Sequence, residues 1–435
     1  MSNPNSQRSR AAHQLAGKIR MPSTGTPLKG KGTSILSIAS FAWNTNVLPE
    51  YRHYDQDSVS VFKGKFSTYA EKVNATTGNK TKYEVAKVCN PVLFQAEFSP
   101  LMKRRKGNEP DIVKDIPMIG YKQIDHSLDM DPQHEEYYRK WIEKFTEWWI
   151  KMKQEEEGKN PPGSEVMVKL GYLRRVATLP HSVMSAVRSR VEAAKKKTGA
   201  GRDAAIREVK QFASWAKSIG VYNGPPTSKD LMIRNIISEN IKKGEKTIVF
   251  SFYRQNSKNG DAWLRRQGIN SMIVDGSTSN ALKKSTGKSK RHEMVEQFRK
   301  DPSYPVLWAG IRALSVGMNI PEANHGIICD FDWRPDIIDQ AIARMIRRFT
   351  QERVVHDYRM MHAGTIEEFM CALCYLKSRS AGEAVDYMSF DDFSAEMIPD
   401  ASQYAACLVD GSEEAEALKS KMFTAVDYLR KGDTI

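Results

Sequence analysis

Residues 303–351 read SYPVLWAGIRALSVGMNIPEANHGIICDFDWRPDIIDQAIARMIRRFTQ, and this stretch decides the fold. Val306 to Trp308 is a short apolar run that predicts a strand, and Gly310 and Gly317 bracket a loop. Gly326 to Cys329 is a second apolar run, ending in Asp330, Asp332 and Trp333. A strand, a glycine loop and a second strand then feed a helix, the order of an α/β fold with a parallel sheet.

In that helix Gln340, Arg344, Arg347, Arg348 and Gln351 share one stripe, while Ile338, Ile342, Met345 and Phe349 take the opposite face. One face packs and the other presents guanidinium groups. Taken alone, such a stripe reads equally as a solvated basic face.

The context selects the more specific reading. A strand, then Asp330-Phe331-Asp332-Trp333-Arg334-Pro335, then Gln340-Ala341 with Arg344, resembles motifs V and VI of superfamily-two helicases, and most of all the Swi/Snf-type DNA translocases. The resemblance implies that Arg344, with Arg347 or Arg348, reaches ATP phosphates as arginine fingers. A planar, permanently charged guanidinium suits phosphate oxygens where charge builds during transfer. It also implies that Gly317, Asn319 and Gln340 shape the nucleotide cleft and that Arg312 lies near DNA phosphate. The chain departs from the family at Gly310-Ile311, where Ser-Thr is usual, and at Leu314-Ser315, where two glycines are common. Motif VI is one residue longer; aligning from Gln340 selects Arg344 and Arg347, aligning back from Gln351 and Tyr358 selects Arg348, and Arg344 survives either register.

Composition agrees. A chain of 435 residues predicts two or three domains, and a formal charge of +14 favours a polyanionic partner such as double-stranded DNA. No run of eighteen apolar residues and no signal peptide is present, which predicts a soluble, intracellular protein without a membrane partner, cytoplasmic or nucleoid-associated if bacterial or viral. Of five cysteines, Cys371 and Cys374 form a lone Cys-x-x-Cys; with no second pair they read as helix-packed thiols, and no metal ligand is assigned.

From the start of the chain, Ser23-Thr24-Gly25-Thr26-Pro27 resembles motif III, the segment that couples the nucleotide site to the DNA track, and Asn3 onward resembles the segment directly after the family's DEAH-type box. Gly25 to Lys31 reaches Gly-x-x-x-x-Gly-Lys, but Gly32 follows where a P-loop needs Ser or Thr; Thr286 to Ser289 has the right ending, but Leu282 stands at the first glycine. Asp followed by Glu occurs nowhere in the sequence. Thr33 to Trp43 predicts an amphipathic helix, and Ile124, His126, Leu128 and Met130 alternate as a half-buried strand. Asp131-Pro132 opens a long helical region to about Ser218, in which Trp148 and Trp149 pack between helices, and Leu173-Arg174-Arg175 resembles the end of the family's helical protrusions. Ser228-Lys229-Asp230 opens a helix into the second lobe; Thr247 to Phe252 resembles motif IV, Asp275 to Thr278 is a turn found at the same place in the family, and Lys283 to Arg291 predicts a flexible basic loop. Gly364 to Glu368 resembles the family's closing turn and helix, and the tail carries an acidic run at Glu413, Glu414 and Glu416.

The expected architecture is α/β: a C-terminal remnant of a first RecA-like lobe over 1–125, a helical insertion over 126–225, a complete second RecA-like lobe with a parallel sheet over 226–375, and a helical or mixed extension over 376–435. The resemblance implies the C-terminal part of an ATP-dependent DNA translocase, inactive alone. ATP and Mg2+ are its cofactors, with the magnesium ligands on a half, or a partner polypeptide, that carries the P-loop and DEAH-type box. DNA contacts are expected from Arg312, Lys229, Ser277 and Thr278, and coupling from Ser23, Thr24, Gly25 and Thr26. The alternative is a non-catalytic DNA-binding or regulatory protein derived from such a motor.

Overall fold

The computed structural model describes residues 11–12, 14–15, 19–24, 33–42, 56–73, 80–103, 105, 109–115, 120–155, 161, 163–196, 198, 200–283, 287–314, 318–346, 354–386, 401–409, 417 and 420. The chain begins with α1 (Thr33–Ala42) and α2 (Gln56–Phe66), an antiparallel hairpin of β1 (Ser67–Val73) and β2 (Lys80–Val88), then α3 (Pro91–Phe98) and α4 (Pro110–Asp115). Phe62, Phe66, Phe94 and Phe98 are fully buried and form a tight cluster, with ring centroids 4.7 Å apart for the stacked pair Phe94 and Phe98.

β3 (Tyr121–Leu128) leads into four helices, α5 (Pro132–Glu155), α6 (Gly163–Thr178), α7 (Val183–Lys195) and α8 (Ala200–Ile219). α5 starts where its capping chemistry predicts, the His134 amide donating to Asp131 Oδ1 at 3.0 Å and Pro132 taking the first helical position. Trp141 is fully buried against Tyr172, Phe212 and Trp215, and Trp148 and Trp149 are buried in the same core.

The lobe beyond these helices runs α9 (Ser228–Lys242), β4 (Lys246–Ser251), α10 (Arg254–Arg265), β5 (Ser271–Val274), α11 (Lys290–Lys300), β6 (Val306–Gly310), α12 (Ile311–Leu314), β7 (Ala323–Ile328), α13 (Pro335–Ile342) and β8 (Val355–His362), then α14 (Ile366–Asp386) and α15 (Ala401–Val409). A capping box fixes the entry to α9: the Asp230 amide donates to Thr227 Oγ1 and the Thr227 amide to Asp230 Oδ2. The sheet is wholly parallel, in the order β3-β8-β7-β4-β6-β5. Its side chains alternate between two cores. Val249, Val306, Trp308 and Ile327 face Ile233, Ile237 and Leu264 of α9 and α10, whereas Ile248, Phe250, Leu307 and Ile328 face a core shared with Phe298, Ile338 and Ile342. This is the α/β lobe with a parallel sheet expected from the sequence.

Three expectations are corrected. The boundary between 125 and 126 falls inside β3, which pairs with β8 along its whole length as an edge strand of the second lobe's sheet, so the lobe begins before the helical insertion rather than after it. The helix bearing Gln340 is also shorter than its periodicity predicts. It ends at Ile342, and the Arg344 and Met345 amides turn back to the carbonyls of Ala341 and Ile342 at 3.2 and 2.9 Å. The reason is packing: Met345 lies over Gly326 of β7 so closely that a Cβ there would stand 2.4 Å from the methionine methyl, and the Arg344 carbonyl is taken by the Ile320 amide at 2.8 Å. The predicted flexible loop is partly folded: Leu282 and Ser289 form a bridge, and Lys283 and Lys288 pair with Glu293 and Glu296.

A buried ion pair closes the lobe. Lys229, at the start of α9, bonds both carboxylate oxygens of Glu367 at the start of α14, and its ammonium also donates to the Cys329 carbonyl at 3.1 Å. Glu367 further accepts from Thr178 of α6 and from the His362 amide at 3.0 Å. Burial alone would raise the Glu367 carboxyl; the Lys229 ammonium and His362 outweigh it and hold the group well below the ordinary range. Its contribution to stability is therefore present above the unfolded glutamate value of about 4.3 and is lost as pH falls below it. Glu367→Gln should lower the unfolding free energy by about 3–5 kcal/mol in denaturant titration at neutral pH, because it strands a buried ammonium. The variant should also lose less further stability than the parent on acidification below that value.

Gly260 has a similar role in packing. A Cβ there would stand 2.0 Å from the Trp308 ring. Gly260→Ala should lower the melting temperature despite alanine's helical advantage, with a net loss of about 1–3 kcal/mol by chemical denaturation.

Candidate functional site

Consecutive strands β6 and β7 flank β4, so their C-terminal loops part on either side of the end of β4 and leave a crevice, the place where open α/β sheets bind ligands. Asp330, just past β7, is completely buried; it accepts the Ser251 hydroxyl and the Phe252 amide, each at 2.8 Å, and pairs with Arg174 of α6 at 3.1 Å. The Arg174 guanidinium lies 4.4 Å from the centre of the Phe252 ring, a cation–π contact that offsets part of its desolvation. Phe252 is exposed, and Arg312 rests against the same ring at 5.3 Å.

Arg312, on α12, is 63% exposed while its guanidinium is anchored to buried Asp332 at 2.7 Å. At the start of α10, Arg254 repeats the arrangement, 56% exposed and bonded to buried Asp275, just past β5, at 2.7 Å and to Ser277 Oγ at 2.8 Å. Burial pushes the Asp275 carboxyl up, but the Ser277 side chain and amide, together with Arg254, hold it below the usual range. The Thr278 hydroxyl accepts from the Asp275 amide at 3.1 Å, and Arg291 donates to the carbonyls of Ala313 and Thr278. Two anchored, exposed guanidiniums and a hydroxyl turn thus line one edge of the sheet, an arrangement chemically suited to phosphate oxygens.

The structure brings Arg312, Ser277 and Thr278 to this edge, and half-buried Gln340 and Arg344 to the end of α13 and the turn after it. Asn319 is exposed beside Ile320, whose amide holds that turn. Ser23 and Thr24 are exposed. Lys229 leaves the set of DNA contacts: it is 2% exposed and spent on Glu367. Gly25, Thr26, Gly317, Arg347 and Arg348 lie outside the described residues. Among the described residues, no three or more His, Cys, Asp or Glu side chains converge as a metal site.

Sequence reasoning passed over Arg254, and it named Phe252, Asp275, Asp330 and Asp332 within motifs without giving them a role in the site. All lie within four residues after the C-terminal end of a strand, and a search for polar and aromatic residues just beyond strand C-termini would have found them. Arg174 carries no such signal, since its partner Asp330 is 156 positions away.

A family model for the helicase conserved C-terminal domain matches residues 228–349. The Mus musculus DNA excision repair protein ERCC-6 is 24% identical over 368 residues, covering 84% of this chain and 22% of that protein. The Caenorhabditis elegans SWI/SNF-related matrix-associated actin-dependent regulator of chromatin subfamily A containing DEAD/H box 1 homolog is 24% identical over 407 residues, covering 89% of this chain and 38% of that protein. The chain therefore spans well under half the length of these curated relatives. The solved C-terminal part of the Fun30 ATPase domain is matched over its full length and 62% of this chain, at 16% identity and a TM-score of 0.42. Residues 228–349 thus match a helicase conserved C-terminal domain, and the chain is similar over most of its length to SWI/SNF-related and ERCC-6 proteins.

Proposed function

We propose that this chain works as the second lobe of an ATP-driven motor on double-stranded DNA, supplying arginine fingers to ATP and guanidinium and hydroxyl contacts to the DNA backbone. The observation that carries the reading is the pair Arg312 and Arg254, each exposed yet fixed by a buried carboxylate at the strand ends of a helicase C-terminal domain. A guanidinium held in place by its own protein loses little freedom when it meets a phosphate, and the contact is insensitive to base sequence. Ser277 and Thr278 extend the same row, and Ser23, Thr24, Gly25 and Thr26 couple it to the nucleotide side.

Arg344, with Arg347 or Arg348, faces the ATP phosphates, and Gly317, Asn319 and Gln340 shape that side of the cleft. The turn carrying Arg344 is pinned by the Ile320 amide and by Met345 over Gly326, which suits a donor that must be positioned before the reaction. ATP when bound supplies the phosphoryl group whose transfer to water drives the cycle. A P-loop and DEAH-type box on another polypeptide or stretch of sequence hold its magnesium ion, for which the described residues offer no converging acids.

The test is ATP hydrolysis by the purified chain with and without duplex DNA. No turnover is expected alone, and DNA-stimulated turnover on adding a polypeptide that carries the P-loop and DEAH-type box. In that reconstituted motor Arg344→Ala should cut turnover by about 10³-fold or more with DNA affinity kept. Arg254→Ala with Arg312→Ala should weaken duplex binding at every sequence and flatten its salt dependence by about one unit of slope for each phosphate no longer neutralised. Robust turnover by the chain alone would overturn the division of labour, and no turnover in the reconstituted system would favour the non-catalytic DNA-binding reading.

A further inference from the structure

Between α9 and α10 lies a groove of about 250 Å3, lined by Arg234, Arg266, Trp263, Trp308, Asn256 and Asp230 among others. Its rim carries unused charge. The Arg234 guanidinium lies 5.4 Å from the centre of the Trp263 ring and has no hydrogen-bond or ion-pair partner among the described residues; neither has that of Arg266. This sets them apart from the anchored arginines of the crevice. The acid on the same wall, Asp230, is engaged in the cap of α9, where its carboxylate accepts the Thr227 amide. The floor is aromatic, and buried Trp308 adds an indole N–H without a partner among the described residues. Gly260, where a side chain would run into Trp308, lets the two helices frame the groove.

We infer that this groove is a docking site for an acidic peptide segment of a partner protein, with a carboxylate forked by Arg234 and Arg266 and a neighbouring apolar side chain laid on Trp263. Three features select that occupant. Two unpaired guanidiniums want a planar anion, and a carboxylate accepts such a pair of donors. The volume falls below the roughly 300–1,000 Å3 of sites that enclose whole small molecules, and so fits one or two side chains of a longer ligand. An aromatic and arginine-rich patch between two helices is the composition that carries binding energy at protein interfaces. The groove shares α10 with Arg254 but is lined by neither Arg254 nor Arg312, so substitutions at Arg234 and Arg266 leave the proposed DNA-contacting side chains in place.

The probe is a fluorescent synthetic peptide of alternating Glu and Phe, titrated with the full chain in an anisotropy assay at physiological salt. Because any basic protein attracts polyanions, the variant Arg234→Gln with Arg266→Gln is compared with a charge-matched control, Lys242→Gln with Lys243→Gln, at two exposed positions at the end of α9. The first pair should weaken peptide binding at least about tenfold and the control by much less. Trp263→Ala should also weaken it, and duplex DNA affinity should fall no more in the arginine pair than in the charge-matched lysine control. Equal losses in the two double variants would overturn the proposal in favour of non-specific attraction. A loss of duplex DNA binding in the arginine pair well beyond that of the lysine control would overturn it in favour of a nucleic-acid groove. Loss of DNA binding on altering Arg254 and Arg312 alone bears only on the motor reading, so the two can fail separately.

Discussion

The ion pair of Lys229 and Glu367 is the constraint on which the second lobe depends. Two opposite charges taken fully out of water are tolerable only if each is met in good geometry, and here that need recruits five elements: α9 through Lys229, the end of β7 through the Cys329 carbonyl, α14 through Glu367, α6 through Thr178 and the end of β8 through the His362 amide. None can shift without stranding a charge. The next residue after Cys329 is Asp330, which holds Arg174 of the same helix α6. The helical insertion is therefore fastened to the sheet at two buried polar points one turn apart on one helix, and it moves with the lobe rather than against it.

That fastening also shapes the strand-end edge. Asp330, Asp332 and Asp275 are all buried carboxylates at the ends of strands, and each holds a guanidinium. Arg174 is buried with its partner and serves the fold, whereas Arg254 and Arg312 extend outward. The same chemical pair is used twice, and exposure of the cation separates the two uses. A buried acid beneath an exposed arginine fixes direction at little cost, since the carboxylate is compensated and the guanidinium keeps most of its hydration.

Much of this is legible in the sequence, because the informative signals are local. The apolar runs at Thr247 to Phe252 and Val306 to Trp308 have one outcome in a parallel sheet, and Asp131-Pro132 and Thr227 with Asp230 announce helix starts by their own capping chemistry. Lys229 is misread because a lysine in the first turn of a helix is ordinarily exposed, and its partner Glu367 lies 138 positions on. β3 falls on the wrong side of a domain boundary for the same reason: its partner β8 is far away in sequence and joins it only after the insertion has been threaded between them.

The end of α13 shows the limit most clearly. Helical periodicity puts Gln340, Arg344, Arg347 and Arg348 on one stripe, and that inference is sound while i to i+4 bonding continues. It stops at Ile342 because β7 carries Gly326 beneath it, and Met345 gains more by filling that space than by extending the helix. The Arg344 carbonyl, released from helical bonding, is taken by the Ile320 amide, one residue beyond Asn319. The Arg344 backbone is consequently held both by the end of α13, through its amide on the Ala341 carbonyl, and by Ile320 just before β7, through its own carbonyl.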